Sequence, residues 1–339
     1  MDTQTTSAVK KALDTAKNLV VIGHKNPDGD AIGSSLGLAG FLRKKDFEVT
    51  VVMPNEFPEF LKWMPGCDDL LIYEKQAQEV QKTLDAADVI FTLDFNALNR
   101  SGDLSPLLEA SEAKFIMIDH HQQPDAYAVA TYSDASMSST AQMVFHFMEA
   151  LDGIPLLDRD IATNLYTGIM TDTGSFRFSA TTATTHRVIA QLLEHGAVPN
   201  VIHENIYDTA SQNRMKLLGV ALNNLTVLPE YRTAYITLSQ EELDAHDFRK
   251  GDTEGFVNYA LAINNIVFAV IFIENRQENI VKISLRSKGP FSVNQFSRNH
   301  FNGGGHNNAA GGRSLKSLDE TVREFISILP QYQKALIDA

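Results

Sequence analysis

One cysteine, Cys67, occurs among 339 residues. A lone thiol excludes an intramolecular disulfide and a thiolate metal cluster, so any metal must be held by nitrogen and oxygen. Basic residues are scarce relative to acids: 29 Lys and Arg stand against 42 Asp and Glu, a formal charge of −13. That balance disfavours a general binder of long duplex nucleic acid. Small anionic substrates are compatible with it where local charge or metal offsets the global repulsion. Long apolar runs are missing too. The strongest, Ile266 to Ile273, is too short to span a bilayer, and the opening MDTQTTSAVKKALDTAKN carries no apolar segment of signal-peptide type. A cytoplasmic protein without a membrane partner is expected. The glycine-rich GGGHNNAAGG at 303–312 lacks the Lys-Ser or Lys-Thr of a nucleotide P-loop.

What is present suffices for two domains, since 44% of the residues are hydrophobic. Up to about residue 190 the pattern alternates between short apolar runs (19–22, 48–53, 88–93, 114–118) and helix-like segments (7–17, 31–45, 138–151, 158–170). Such alternation predicts an α/β domain, a parallel sheet with flanking helices, over residues 1–190. Residues 191–229 read as a helical connector. Residues 230–339, with strands expected at 233–238, 267–274 and 279–285, read as a smaller α+β C-terminal domain.

The stretch IGHKNPDGDAIGS at 22–34 places His24, Asp28 and Asp30 in a Pro/Gly turn directly after an apolar run. Aspartates there can serve as helix caps, and Asp30 is well placed to cap a helix starting at Ala31. Asp94 and Asp119 each end a later apolar run, and Asp119 is followed by His120 and His121. Asp172 sits in TDTG at a helix-to-turn junction, where Gly174 can close the helix. Each aspartate alone is an ordinary turn former. Acids and histidines at the carboxyl ends of successive parallel strands, however, converge on one sheet edge, where open α/β folds place ligands. A dry core would not tolerate so many convergent acids unpaired.

In the C-terminal part, Gly303, Gly304 and Gly305 precede His306. Consecutive glycines can gather backbone N–H groups around an anion, although a flexible turn is the plainer account. Residues 276–316 hold seven Lys or Arg against one acid, Glu278, and Arg286 ends an apolar run. This local excess suggests a phosphate-recognition surface.

Taken in order, HKNPDGDAIGS, the strand-end Asp94, DHH at 119–121 and TDTG at 171–174 resemble the DHH phosphoesterase family. SLRSKG at 284–289 and GGGHNNAAGG resemble the DHH-associated C-terminal domain found in one branch of it. The resemblance implies two divalent ions, one held by His24, Asp28 and Asp94, the other by Asp30, Asp94, His120 and Asp172, with Asp94 shared. It implies that Asp119 orients an imidazole, that His121 approaches the substrate phosphate, and that Arg286 and His306 bind substrate. Mixed carboxylate and imidazole ligands suit Mn²⁺, with Mg²⁺, Co²⁺ or Fe²⁺ as alternatives.

Within the family, a chain with little beyond two domains resembles the bacterial oligoribonuclease (nanoRNase) and pAp phosphatase group. The expected reaction releases 5′-mononucleotides from short oligoribonucleotides, or phosphate from 3′-phosphoadenosine 5′-phosphate, in a cleft between the domains. The alternative enzyme is a cyclic di-AMP or pApA phosphodiesterase; the alternative outside enzymes is a nucleotide-binding regulator that has lost catalysis.

Overall fold

The computed structural model describes residues 1–339. The chain divides into two compact units, Met1–Thr209 and Ala210–Ala339. The stretch read as a connector is therefore shared between them.

In the first unit α1 (Thr3–Leu13) precedes β1 (Asn18–Ile22), α2 (Gly29–Arg43), β2 (Glu48–Met53), β3 (Leu71–Ile72), α3 (Tyr73–Asp85), β4 (Val89–Leu93) and α4 (Ser105–Glu109). Then follow β5 (Lys114–Asp119), β6 (Ala130–Ser133), α5 (Thr140–Ala150), α6 (Arg159–Asp172), α7 (Ala183–Glu194) and α8 (Pro199–Tyr207). The strands pair in the order β3-β2-β1-β4-β5-β6, every pair parallel.

A parallel strand covered on both faces needs an unbroken apolar run, and Leu19-Val20-Val21-Ile22 is one, buried throughout. Its alternate residues enter different layers. Leu19 and Val21 pack with residues of α2, α5 and α6, whereas Val20 and Ile22 pack with Val80 and Leu84 of α3 and Leu108 of α4. The strand order reverses between β1 and β4. Connections leave these neighbours in opposite directions, which opens a crevice at their carboxyl ends. His24 follows β1, Asp94 follows β4 and Asp119 ends β5, so topology alone assembles them.

Asp172 arrives by another route. Gly29, Gly33, Gly37 and Gly40 lie on one face of α2 against α6; a Cβ at Gly33 would stand 2.5 Å from the Asn164 carbonyl oxygen, and one at Gly29 would stand 2.4 Å from the Thr171 hydroxyl. The absence of side chains lets α6 run antiparallel to α2 in close contact. The C-terminal end of α6, with Asp172, thereby meets the N-terminal end of α2, with Asp28 and Asp30.

The second unit contains α9 (Gln212–Asn223), β7 (Thr226–Leu228), β8 (Thr233–Leu238), α10 (Gln240–Ala245), α11 (Phe256–Leu261), β9 (Phe268–Asn275), β10 (Ile280–Ser287), α12 (Val293–His300), β11 (Gly304–Gly305), β12 (Ala309–Ser314), α13 (Leu318–Ile328) and α14 (Gln333–Ile337). Its sheet runs β11-β12-β10-β9-β8-β7, with β8 and β9 parallel and the other pairs antiparallel. Phe268, Phe272, Phe296 and Phe325 form the centre of one of its apolar layers.

The close α2–α6 contact makes Gly33→Ala an overpacking change of about 1–3 kcal/mol, lowering the melting temperature by about 2–10 °C. Gly219→Ala on α9, where nothing lies within 4 Å of the added carbon, should leave it unchanged or slightly raised. Equal effects in calorimetry would contradict the packing argument.

Candidate metal centre

The chain leaves β1 at Ile22 and enters α2 at Gly29. Asp28 is the N-cap: its Oδ1 accepts the amides of Asp30 and Ala31 at 3.0 and 3.1 Å. Sequence reasoning favoured Asp30 as the cap, but the helix begins two residues before Ala31, so that duty falls to Asp28. Its other oxygen lies 3.8 Å from His24 Nε2. His24 Nδ1 is 2.9 Å from the carbonyl oxygen of Lys25. A carbonyl only accepts, so Nδ1 carries a proton, and it is Nε2 that faces Asp28 and Asp94, able to ligate a cation once it gives up its own proton.

Asp94 has a φ of 65°, a left-handed conformation that aspartate tolerates better than most residues. Its Oδ2 is 3.5 Å from His24 Nε2 and its Oδ1 is 3.5 Å from His120 Nε2. His120 Nδ1 is 3.2 Å from the Met137 carbonyl oxygen, the same tautomer-fixing contact as in His24. Around His120 Nε2 stand Asp172 at 3.4 Å, Asp94 at 3.5 Å and Asp30 at 3.8 Å.

One nitrogen cannot hydrogen-bond three carboxylates, and these separations exceed a normal N–H···O bond. Donor atoms held at about 2.0–2.2 Å from one ion lie about 3–3.6 Å from each other. The spacing, the imidazole orientation and the absence of sulfur fit a divalent cation. Among the groups whose ligand atoms lie within 4.8 Å of one another are His24–Asp28–Asp94 and Asp30–His120–Asp172. Asp94 presents one oxygen to each.

Sequence reasoning passed over the residues that hold two of these acids. Asp30, 1% exposed, accepts the Thr140 amide on Oδ2 at 2.6 Å and the Ala141 amide on Oδ1 at 2.8 Å. The Thr140 hydroxyl donates to Asp94 Oδ1 at 3.0 Å. Ser139 caps α5, accepting the Gln142 amide at 3.0 Å. The Ser-Ser-Thr before an apolar helix is a legible cap signal, but it says nothing of what the helix end faces.

Asp119 is fully buried, and both its oxygens serve His121: Oδ1 lies 2.7 Å from Nδ1 and Oδ2 accepts the His121 amide at 3.0 Å. The rings of His120 and His121 sit edge to face, with centroids 5.1 Å apart. The adjacent histidines thus diverge, His120 towards the carboxylate cluster and His121 held by Asp119.

The pattern of the DHH family's N-terminal domain matches residues 18–169, and that of the DHHA1 domain matches residues 232–335. A Thermus thermophilus relative named "Bifunctional oligoribonuclease and PAP phosphatase NrnA" is 32% identical over 302 residues, which are 89% of this chain and 85% of that protein. The chain belongs to the DHH family. A Bacillus subtilis relative of the same name is 28% identical over 314 residues, 92% of this chain and 94% of its own. The crystal structure of an exopolyphosphatase-related protein from Bacteroides fragilis aligns with a TM-score of 0.94 and 40% identity, covering 99% of this chain and 98% of that one.

In the DHHA1 domain the glycine-rich segment is a hairpin of β11 and β12, with Gly304 opposite Gly311 and Gly305 opposite Ala310. The amide of His306 donates to the Ala309 carbonyl at 2.7 Å, and that of Gly303 to the Ser297 carbonyl at 3.4 Å. A Cβ at Gly303 would lie 1.9 Å from the Gly311 carbonyl oxygen. Close backbone approach, rather than an open nest of amides, is what these glycines provide. Arg286 pairs with Ala309, the residue that closes the hairpin turn carrying His306.

The electrostatics of the DHH centre are those of crowded acids around imidazoles. Burial works against a charged His24, but Asp28 and Asp94 outweigh it and raise its pKa to about 10. Burial likewise opposes a charged His120, yet Asp172, Asp94 and Asp30 push it well up. Burial would raise Asp94, but His120 and His24 hold it well below the usual carboxylate range. Asp30 is pushed up by burial and by Asp94 and Asp172, whereas its two amide donors favour the ionised form. His121 is lowered, chiefly by burial.

A cation and a proton compete for the same Nε2 atoms. Apparent Mn²⁺ affinity should therefore rise with pH between about 6 and 9, below the value His24 takes without the ion. Titration calorimetry in buffers of different ionisation enthalpy should report net proton release. Affinity independent of pH over that range would contradict the assignment of His24 and His120 as ligands.

Proposed function

We propose that this protein is a two-metal phosphoesterase that hydrolyses short oligoribonucleotides to 5′-mononucleotides and 3′-phosphoadenosine 5′-phosphate to AMP and phosphate. The observation that carries the reading is Asp94, whose two oxygens stand 3.5 Å from His24 and 3.5 Å from His120, the arrangement a shared carboxylate needs. The names carried by the two NrnA relatives support the substrate class.

His24, Asp28 and Asp94 hold one ion; Asp30, Asp94, His120 and Asp172 hold the other. Manganese suits this donor set, with Mg²⁺, Co²⁺ or Fe²⁺ as alternatives. Two ions so placed supply a nucleophile at neutral pH by acidifying water, and offset the charge that grows on the phosphoryl oxygens. Asp119 accepts the Nδ1–H of His121 and fixes its ring; His121, kept neutral by burial, presents its Nε2 lone pair to take a proton from the nucleophile, and only as the resulting imidazolium does it donate a hydrogen bond to a phosphate oxygen. Arg286 and His306 in the DHHA1 domain contribute to binding a substrate phosphate. The basic excess of residues 276–316 reconciles an anionic substrate with a chain whose net charge is −13.

Asp94→Asn should lower kcat/KM on short RNA and on 3′-phosphoadenosine 5′-phosphate by about 1,000-fold or more, with an unchanged circular dichroism spectrum. Retained turnover would remove the shared-carboxylate reading. In a parallel assay with Mn²⁺, dinucleotides and 3′-phosphoadenosine 5′-phosphate should be hydrolysed faster than cyclic di-AMP, pApA, pyrophosphate or long RNA; the reverse ranking would reassign the substrate. His306→Ala should raise KM by about tenfold with kcat little changed, and an unchanged KM would detach the DHHA1 hairpin from substrate capture.

A further inference from the structure

We propose that Thr140, with the first turn of α5, is a positioning residue that sets the geometry between the two carboxylates Asp30 and Asp94. The inference rests on the metal-binding reading above and adds to it a part of the chain that supplies no ligand.

Three donations converge from two consecutive residues. The Thr140 hydroxyl reaches Asp94 Oδ1 at 3.0 Å, the Thr140 amide reaches Asp30 Oδ2 at 2.6 Å, and the Ala141 amide reaches Asp30 Oδ1 at 2.8 Å. Asp30 belongs to α2 and Asp94 follows β4, so the two acids share no local backbone. Thr140 alone donates to both.

Thr140 is fully buried and Asp30 and Asp94 are 1% and 2% exposed, so water does not replace these donors cheaply. The outer torsion of an aspartate is broad and soft, and a carboxylate left to itself turns in its site. Asp94 must keep its plane aligned with two positions at once if each oxygen is to serve a different ion. A hydroxyl on Oδ1 restricts that rotation. The paired amides do the same for Asp30, and because they belong to a helix capped by Ser139 they are held rigidly.

A purely structural role for Thr140 is separable from this one. Its γ-methyl fills space, and valine keeps that shape while removing the donor. Serine keeps the donor and loses the methyl.

The test is Mn²⁺ binding to the full-length protein, without substrate, by titration calorimetry and by electron paramagnetic resonance of free Mn²⁺. Thr140→Val should weaken at least one of the two binding events by about 10–100-fold, as loss of a ligand's hydrogen-bond partner does elsewhere. Thr140→Ser should restore wild-type affinity to within about threefold. If Thr140→Val does not fold, Thr140→Ala against Thr140→Ser makes the same comparison, with alanine weak and serine near wild type. Wild-type affinity in the valine or alanine variant, or equal loss in the serine variant, overturns the role of the hydroxyl while leaving the metal reading intact. Failure of the wild-type protein to bind Mn²⁺ overturns both.

Discussion

Carboxylate repulsion is the constraint to which the N-terminal unit answers. Asp28, Asp30, Asp94 and Asp172 surround His24 and His120, and two of the four acids are almost wholly withdrawn from water. Acids in that position must be offset. The amides at the start of α5 serve Asp30, the amides at the start of α2 serve Asp28, and the imidazoles serve Asp94. What the imidazoles cannot do is satisfy three oxygens from one nitrogen, and it is this shortfall around His120 that a divalent ion would remove.

The scaffold follows from that requirement. A parallel sheet that reverses its strand order between β1 and β4 delivers ligands from separate strands to one crevice, and a face of glycines on α2 admits α6 closely enough to bring Asp172 there. Neither device resembles a site when taken alone. The second unit uses glycine for a different end, packing a hairpin flat against Ser297 and Phe301 of α12 and its neighbourhood so that His306 stands at the tip.

Much of this was legible in the residues. Apolar runs marked the central strands β1, β2, β4 and β5 of the parallel sheet, and the acids and histidines that end or follow β1, β4 and β5 carried the family pattern, because a fully buried parallel strand leaves little freedom in composition and a ligand little in residue type. The role of Asp28 as the cap was misplaced by two residues, since Asp-Gly-Asp offers two equivalent cap positions and only the helix start decides between them. Thr140 stayed hidden for another reason: its partner Asp30 lies 110 residues away, and a cap signature does not disclose what a helix end points at. The strands β11 and β12 were hidden because glycine has little strand propensity, and β3, of two residues, is too short to show any period.

Anomalous diffraction at the manganese edge, from crystals of the full-length chain grown with Mn²⁺, tests the central claim most directly. Two peaks about 3.5–4 Å apart on either side of the Asp94 carboxylate are expected. A single peak, or two that do not share Asp94, would contradict it.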